Sequence, residues 1–257
     1  MPIMKRINLH IIADKTKKAE KVKQSLVKLH SHHTPKACDY IVVIGGDGFM
    51  LHSLKKYQKF NKPFYGINTG NRGFLLNKNT SGNLLAKIKK TNAINLFPLE
   101  ARIRTQDKIK KIIAINEVSI FRSTRQTTKI EIHLDKKKRI KELVGDGILV
   151  ATPAGSTAYN LSAKGPILNL DSHYLAVTPI SPFNPRGWRG AIVSNQSKII
   201  IKNLDPKKRP VNAVADNIEI KNVKYVEIKL NKNKKFVLLY NKKFGLKERN
   251  LAEQFKF

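Results

Sequence analysis

The sequence predicts an α/β domain followed by a β-rich domain. Three observations carry that reading. Strand-like and helix-like segments alternate through the first 90 residues. From about residue 99, short period-two segments divided by charged or Gly/Pro turns take over. An apolar run, Tyr40 to Ile44, also ends in Gly45-Gly46-Asp47-Gly48 where a helix is expected to start. The expected division places residues 1–98 in the α/β domain, with 240–257 returning to it, and 99–239 in the β-rich domain.

In the first part, Ile7 to Ala13 reads as a strand. Lys17 to Leu29 reads as a helix, because Ala19, Val22, Leu26 and Leu29 recur at spacings of three and four and form one apolar stripe. Tyr40 to Ile44 is a buried strand, Met50 to Tyr57 a helix and Phe64 to Asn68 a third strand. Strands separated by helices in this order pair in parallel. Beyond Leu96-Phe-Pro-Leu99, Ile130, Ile132 and Leu134 alternate with polar residues, as do Val226, Ile228 and Leu230. Asp135 to Arg139 and Asp205 to Pro210 are the turns between such strands. No internal repeat, low-complexity tract or Gly/Ser linker separates the two parts.

Composition narrows the functional classes. The 257 residues suffice for two modest domains, each with its own core. No segment approaches the roughly 18 apolar residues of a membrane span, and the start Met-Pro-Ile-Met-Lys-Arg lacks the apolar stretch of a signal peptide. The expectation is a soluble cytoplasmic protein without a membrane partner. A single cysteine, Cys38, makes no internal disulfide and reads as a small core residue. The formal charge of +32 suggests an anionic partner, yet the 50 Lys and Arg are scattered in runs such as Lys108 to Lys111 and Lys232 to Lys235, without aromatic interleaving. These read as solvated turns, so no specific nucleic-acid binding is expected. His30, His32 and His33 lie near a helix end with no cysteine or carboxylate at ligand spacing, which argues against a metal site.

Three polar segments carry the candidate chemistry. Gly45-Gly46-Asp47-Gly48 leaves backbone N–H groups at a helix start, where phosphate binds well, although a plain strand-to-helix turn would also need such residues. The carboxylate of Asp47 is unfavourable beside phosphate unless a metal intervenes or it takes a proton. The segment matches neither a P-loop nor G-x-G-x-x-G. A second segment runs from Gly145 to Ser162. Its small side chains expose backbone groups to a planar ligand, and Thr157, Tyr159, Asn160 and Ser162 add hydrogen bonding suited to a base or ribose. Neither Ser156 nor Ser162 sits in a nucleophile motif. Third, Ile113 to Ile120 reads as an apolar strand interrupted by Asn116 and Glu117. Burying these without partners would cost a few kcal/mol, so either a ligand or a turn at a sheet edge must satisfy them.

Taken together, Gly-Gly-Asp-Gly, Asn68-Thr-Gly-Asn-Arg-Gly-Phe-Leu75, Asn116-Glu117, Thr152-Pro-Ala-Gly-Ser-Thr-Ala-Tyr159 and Val177-Thr-Pro-Ile-Ser-Pro182 resemble the bacterial NAD kinases over nearly the whole chain. The resemblance implies a Rossmann-like nucleotide-binding domain before the β-rich, NAD-binding one. It also implies transfer of the terminal phosphoryl group of ATP, or of inorganic polyphosphate, to the 2'-hydroxyl of the adenosine ribose of NAD, giving NADP. A divalent metal such as Mg would come with the phosphates, and the assembly would be a homotetramer or homodimer. Asp47 would then be the general base, with Gly48 and His52 lining its pocket and Phe74 on the adenine side. Asn116 and Glu117 would take ribose hydroxyls, and Asp146 would face the nicotinamide end. Thr157, Ala158, Tyr159, Asn160, Leu161 and Ser162 would surround adenine, partly through backbone groups; Ala154 would be a further binding position, and Asn217 would contact ligand from a variable position. Ala154 stands where relatives often carry serine or threonine, Lys164 where many have glycine and Val144 where many have a basic residue. The alternatives are a lipid kinase of the diacylglycerol type, which shares Gly-Gly-Asp-Gly, and a basic nucleic-acid-binding protein whose glycine loops are only turns.

Overall fold

A computed structural model describes residues 7–70, 73–241 and 246–255. Asn71 and Arg72 of the predicted Asn68–Leu75 motif lie outside the described residues, as does the Met1 to Arg6 start. The chain divides into two units, one of residues 1–96 and 235–249, the other of 97–234 and 250–257. The return to the first unit therefore begins at 235 rather than 240, and the last residues belong to the second.

In the first unit, strands β1 (Leu9–Ala13), β2 (Tyr40–Gly45) and β3 (Phe64–Asn68) pair in parallel, in register from Leu9 opposite Tyr40 and Ile41 opposite Phe64. The short β4 (Asn77–Lys78) adds to β3. Helices cover both faces. Helix α1 (Lys17–Leu29) begins where Thr16 accepts the N–H of Ala19 on its hydroxyl, and it lays Ala19, Val22 and Leu26 on Leu9, Ile11, Val42 and Ile44. Helix α2 (Asp47–Tyr57) buries Met50 and Leu54, and a Cβ on Gly66 of β3 would collide with the Met50 side chain. The short α3 (Leu84–Lys89) adds Leu84 and Ile88 to the α1 side. Strand β5 (Thr91–Leu96) lies antiparallel at the sheet edge.

The second unit is a β-sandwich. One sheet contains β6 (Leu99–Arg104), β7 (Ile109–Ala114), β9 (Thr128–Leu134), β10 (Lys137–Gly145), β14 (Ile199–Asn203) and β17 (Tyr225–Leu230), in the order β10-β9-β14-β17-β6-β7. The other contains β8 (Glu117–Arg122), β11 (Gly147–Ala151), β12 (Tyr174–Ile180), β13 (Ala191–Ser194), β15 (Val211–Ala215) and β16 (Ile218–Ile220), in the order β13-β12-β11-β8-β15-β16. All pairings within both sheets are antiparallel. Alternate residues of the two sheets, among them Ile103, Ile120, Ile132, Val150 and Ile228, form one continuous apolar layer. The second sheet is covered on its other face as well, where Leu149, Ala151 and Ala176 meet Tyr159, Ala163 and Leu168. This explains why β11 is apolar at every position rather than alternating. Strand β18 (Phe236–Asn241) then returns to the first unit and fills the sheet between β3 and β5, and α5 (Leu246–Glu253) follows.

Three local expectations need correction. Helix α2 starts at Asp47, three residues before the expected Met50. A first helical turn makes few demands on propensity, and Gly46 in extended conformation caps it. Ile113 to Ile120 is not one strand but two: β7 ends at Ala114, the chain turns through Ile115 and Asn116, and β8 begins at Glu117 in the opposite sheet. The turn expected at Asp135–Arg139 is only Asp135-Lys136, both with positive φ, as a two-residue hairpin of matching twist requires.

Cys38 is fully buried, and its thiol donates to the carbonyl of Pro35. Among the described residues, no group of three or more His, Cys, Asp or Glu could hold a metal, and no helix is long and apolar enough to cross a membrane.

Candidate functional site

In the first unit the candidate chemistry collects where β2 ends. Asp47 occupies the first turn of α2, where the partial positive charge of the helix N-terminus favours a carboxylate. Its Oδ2 accepts the N–H of Phe74 at 2.7 Å and its Oδ1 accepts the N–H of Leu75 at 2.9 Å. The acid is thus held in one orientation by the loop that carries Phe74. That loop is itself anchored. Thr69 donates its N–H to the Gly45 carbonyl, and the buried Asn77 donates to the carbonyls of Gly66 and Leu239. The Tyr240 hydroxyl reaches the Phe74 carbonyl at 3.3 Å. Phe74 is half-buried and Gly48 exposed, with open space where a Cβ would stand on either Gly46 or Gly48.

His52 does not join this group. Five residues along a helix turn the side chain roughly 140° away from Asp47, and it lines a shallow cavity with Phe49, Lys56 and Tyr57.

In the second unit the turn between β7 and β8 presents Asn116 and Glu117. Asp216 accepts the N–H of Ile115 on one carboxylate oxygen at 2.9 Å and that of Asn116 on the other at 2.8 Å. From the opposite side, the Thr152 hydroxyl donates to the Ile115 carbonyl at 2.7 Å and the Thr152 N–H donates to the Asn116 carbonyl at 2.9 Å. The same hydroxyl accepts the N–H of Gly155, tying the turn to the Thr152–Ser162 segment. With its backbone occupied in this way, Asn116 keeps a buried side-chain oxygen, Oδ1, that has no hydrogen-bond partner among the described residues. A buried acceptor left open is costly in a folded protein unless something else fills it.

Around this turn the predicted residues separate into two sets. Tyr159 is half-buried, with its ring 5.6 Å from that of Phe121. Burial raises the pKa of its hydroxyl above the ordinary value, and the charges of Asp146 and Glu117 push it further, so all three groups share one neighbourhood. Asp146 is held by Arg122, whose Nε donates at 2.6 Å. Ala154, Thr157 and Ala158 are half-buried.

Asn160 has a different job. It is fully buried, gives its amide protons to the carbonyls of Ser156 and Pro166, and accepts from the Thr178 hydroxyl at 2.7 Å. Its side chain is a strut of the loop. Ser156, equally buried, hydrogen-bonds to Pro153 and Leu168 and is also structural. Leu161 and Ser162 face outward from the short helix α4 (Tyr159–Ser162). Asn217 is exposed at the tip of the β15–β16 hairpin.

Two residues with evident roles escaped the sequence reading. Thr152 lay within a noted motif but offered no signal of its double bond. Asp216 was not singled out at all.

A carboxylate fixed at a glycine-lined helix start in the first unit is a feature that a nucleotide-dependent phosphotransferase uses, and the likeness to known proteins points to that class. Residues 4–90 match the ATP-NAD kinase N-terminal domain and residues 115–239 the ATP-NAD kinase C-terminal domain. The NAD kinase of Zymomonas mobilis is 46% identical over 98% of this chain and 99% of its own length. The crystal structure of yeast NADH kinase complexed with NADH superposes with a TM-score of 0.82 at 19% identity, covering 98% of this chain and 89% of that one. An NAD kinase from Archaeoglobus fulgidus in complex with ATP superposes at 0.76 and 22% identity, covering 96% and 98%. The chain belongs to the NAD kinase family.

Proposed function

We propose that this chain transfers the terminal phosphoryl group of ATP to the 2'-hydroxyl of the adenosine ribose of NAD. The ribose oxygen forms a bond to the γ-phosphorus, the bond from that phosphorus to the β,γ-bridging oxygen breaks, and ADP leaves with the electron pair. Asp47 takes the hydroxyl proton. The observation that carries this reading is the fixation of the Asp47 carboxylate by the two amides of Phe74 and Leu75 at the start of α2. The two amides fix the plane of the carboxylate, so the acid is oriented for the proton it takes.

Asn116 and Glu117 hold ribose hydroxyls, with the open Oδ1 of Asn116 as one acceptor. Tyr159, Thr157, Ala158 and Ala154 take the adenine, and Asp146 the nicotinamide end. A divalent ion such as Mg enters as part of the ATP substrate, held by its phosphates. Family membership supports inorganic polyphosphate as a second donor, a cytoplasmic location and assembly as a homotetramer or homodimer. The lipid-kinase and nucleic-acid readings gain no support from matches that run to NAD kinases through both units.

The test is NADP formation from NAD, ATP and Mg, with wild type beside Asp47→Asn. An amide cannot accept the proton, and its NH2 group would oppose one of the two backbone N–H donors. Turnover should fall by about 10² to 10⁴ while the melting temperature stays within a few degrees. Undiminished turnover in Asp47→Asn would remove the base assignment, and a wild type that forms no NADP would remove the reaction.

A further inference from the structure

The β15–β16 hairpin meets the turn carrying Asn116 and Glu117 at Asp216. We infer that Asp216 is a positioning residue for NAD binding, which fixes the backbone of the Ile115-Asn116 turn so that the Asn116 side-chain oxygen stays directed at the substrate. The inference rests on the function proposed above and adds to it a residue that touches no substrate.

Three features carry it. First, the contact is specific and doubly made: the two carboxylate oxygens of Asp216 receive the consecutive N–H groups of Ile115 and Asn116, and the Asp216 N–H is donated to the Glu117 carbonyl at 3.1 Å. A charged acceptor bonded to two amides is about twice as strong per bond as a neutral one. Second, Asp216 stands at φ +52°, the left-handed region that Asp and Asn tolerate better than other side chains. The hairpin turn therefore selects a residue type that also supplies the clamp. Third, the same turn is also braced by Thr152 and by the close approach of Gly155, on which a Cβ would overlap the backbone of Asn116. Those contacts prevent the turn from moving one way and Asp216 prevents it from moving the other. Between them, Asn116 keeps Oδ1 buried with no hydrogen-bond partner among the described residues. A buried acceptor stays in such a position only if the backbone beneath it cannot relax toward a donor, and the Asp216 clamp supplies that restraint.

The test uses the full chain with Asp216→Asn, which keeps the shape and one of the two acceptor oxygens, Asp216→Ala, which removes both, and Asn116→Ala. NAD affinity is measured by calorimetry, and KM for NAD and for ATP by NADP formation, all below the melting midpoints. The expected result is a rise of about tenfold in Kd and KM for NAD in Asp216→Asn and a larger one in Asp216→Ala, with KM for ATP unchanged. Amide exchange at Ile115 and Asn116 should be faster in both. Because Asp216 acts through Asn116, adding Asp216→Asn to Asn116→Ala should weaken NAD binding much less than it does in the wild type.

A lower melting temperature with unchanged NAD affinity would overturn the inference, leaving Asp216 purely structural. Full additivity of the double variant would overturn it as well, and so would an Asp216→Asn chain that does not fold. A wild type that binds no NAD would overturn the proposed function and this inference together, whereas a wild type that binds NAD with Asp216→Asn equal to it would overturn this inference alone.

Discussion

Two glycines of this chain answer to different partners. Gly155 is required by the protein itself, because any Cβ there would overlap the carbonyl oxygen, carbonyl carbon and Cα of Asn116. Gly48 meets no atom within 4 Å of its notional Cβ and lies in a helix, where alanine is the better residue by about 1 kcal/mol. The function proposed above gives the missing side chain a reason, the approach of a ligand. Gly155→Ala should therefore destabilise the chain by about 1–3 kcal/mol, the usual cost of overpacking, whereas Gly48→Ala should leave stability equal or better and slow NADP formation. Thermal melting beside turnover checks both, and a Gly48→Ala enzyme as fast as wild type would count against a ligand at that turn. At this scale the sequence distinguished residue types but not their partners. Tyr159 and Asn160 are adjacent and were both read as base contacts, yet the first lies in the field of Asp146 and Glu117 while the side chain of the second is bonded to Ser156, Pro166 and Thr178. An amide satisfied by its own loop looks the same in sequence as one awaiting a ligand.

Elements were legible where a single period dominates. Helix α1 and strand β3 match their expected bounds because each shows an apolar pattern of one repeat between clear breaks. The β7–β8 turn was legible only as one of two ways to satisfy Asn116 and Glu117, since Ile113 to Ile120 stays apolar on both sides of Asn116 and the change of sheet leaves no mark in hydrophobicity. Strands β9, β10 and β14 show a further consequence of alternation. Inward Ile130 and Ile132 leave Glu131 and His133 on the other face, where Glu131 pairs with His133, Lys138 and Lys202. The His133 hydrogen bond first, then that of Lys138, lower the Glu131 pKa from 4.5 to about 2 against the opposing effect of burial. A carboxylate whose pKa is depressed by folding contributes stability above its unfolded value, and that contribution disappears as pH falls through the folded one. Glu131→Gln should therefore be less stable than wild type at pH 6, with the difference shrinking between about pH 4.5 and 2. Denaturant melts across that range test it, and a difference independent of pH would show that the Glu131 charge contributes nothing.

Along the whole chain, the feature least visible locally is the return of β18. Phe236 to Asn241 reads as one more strand in a β-rich stretch, and only pairing with residues about 140 to 175 positions earlier assigns it to the first unit. Such long-range pairing follows from no local pattern. In the first sheet β18 is central, parallel to β3 on one side and antiparallel to β5 on the other, and it buries Phe236, Leu238, Leu239 and Tyr240 almost completely. At about 1.5–3 kcal/mol for each large side chain, these four account for roughly 6–12 kcal/mol. That is comparable to the whole stability of a domain, about 5–15 kcal/mol. A chain ending at Lys234 should therefore lose its first unit, with β3 left as an open edge and β5 without a neighbour. Hydrogen exchange should be fast across β2 and β3 in the truncated chain, while β8, β11 and β12, whose sheet partners all lie before residue 235, keep protection. NADP formation should be absent, because Asp47 and the loop of Phe74 belong to the unit that unfolds. Full protection of Phe64 to Ile67 in the truncated chain would mean that β18 is an accessory strand, and the weight assigned to its four buried side chains would be wrong.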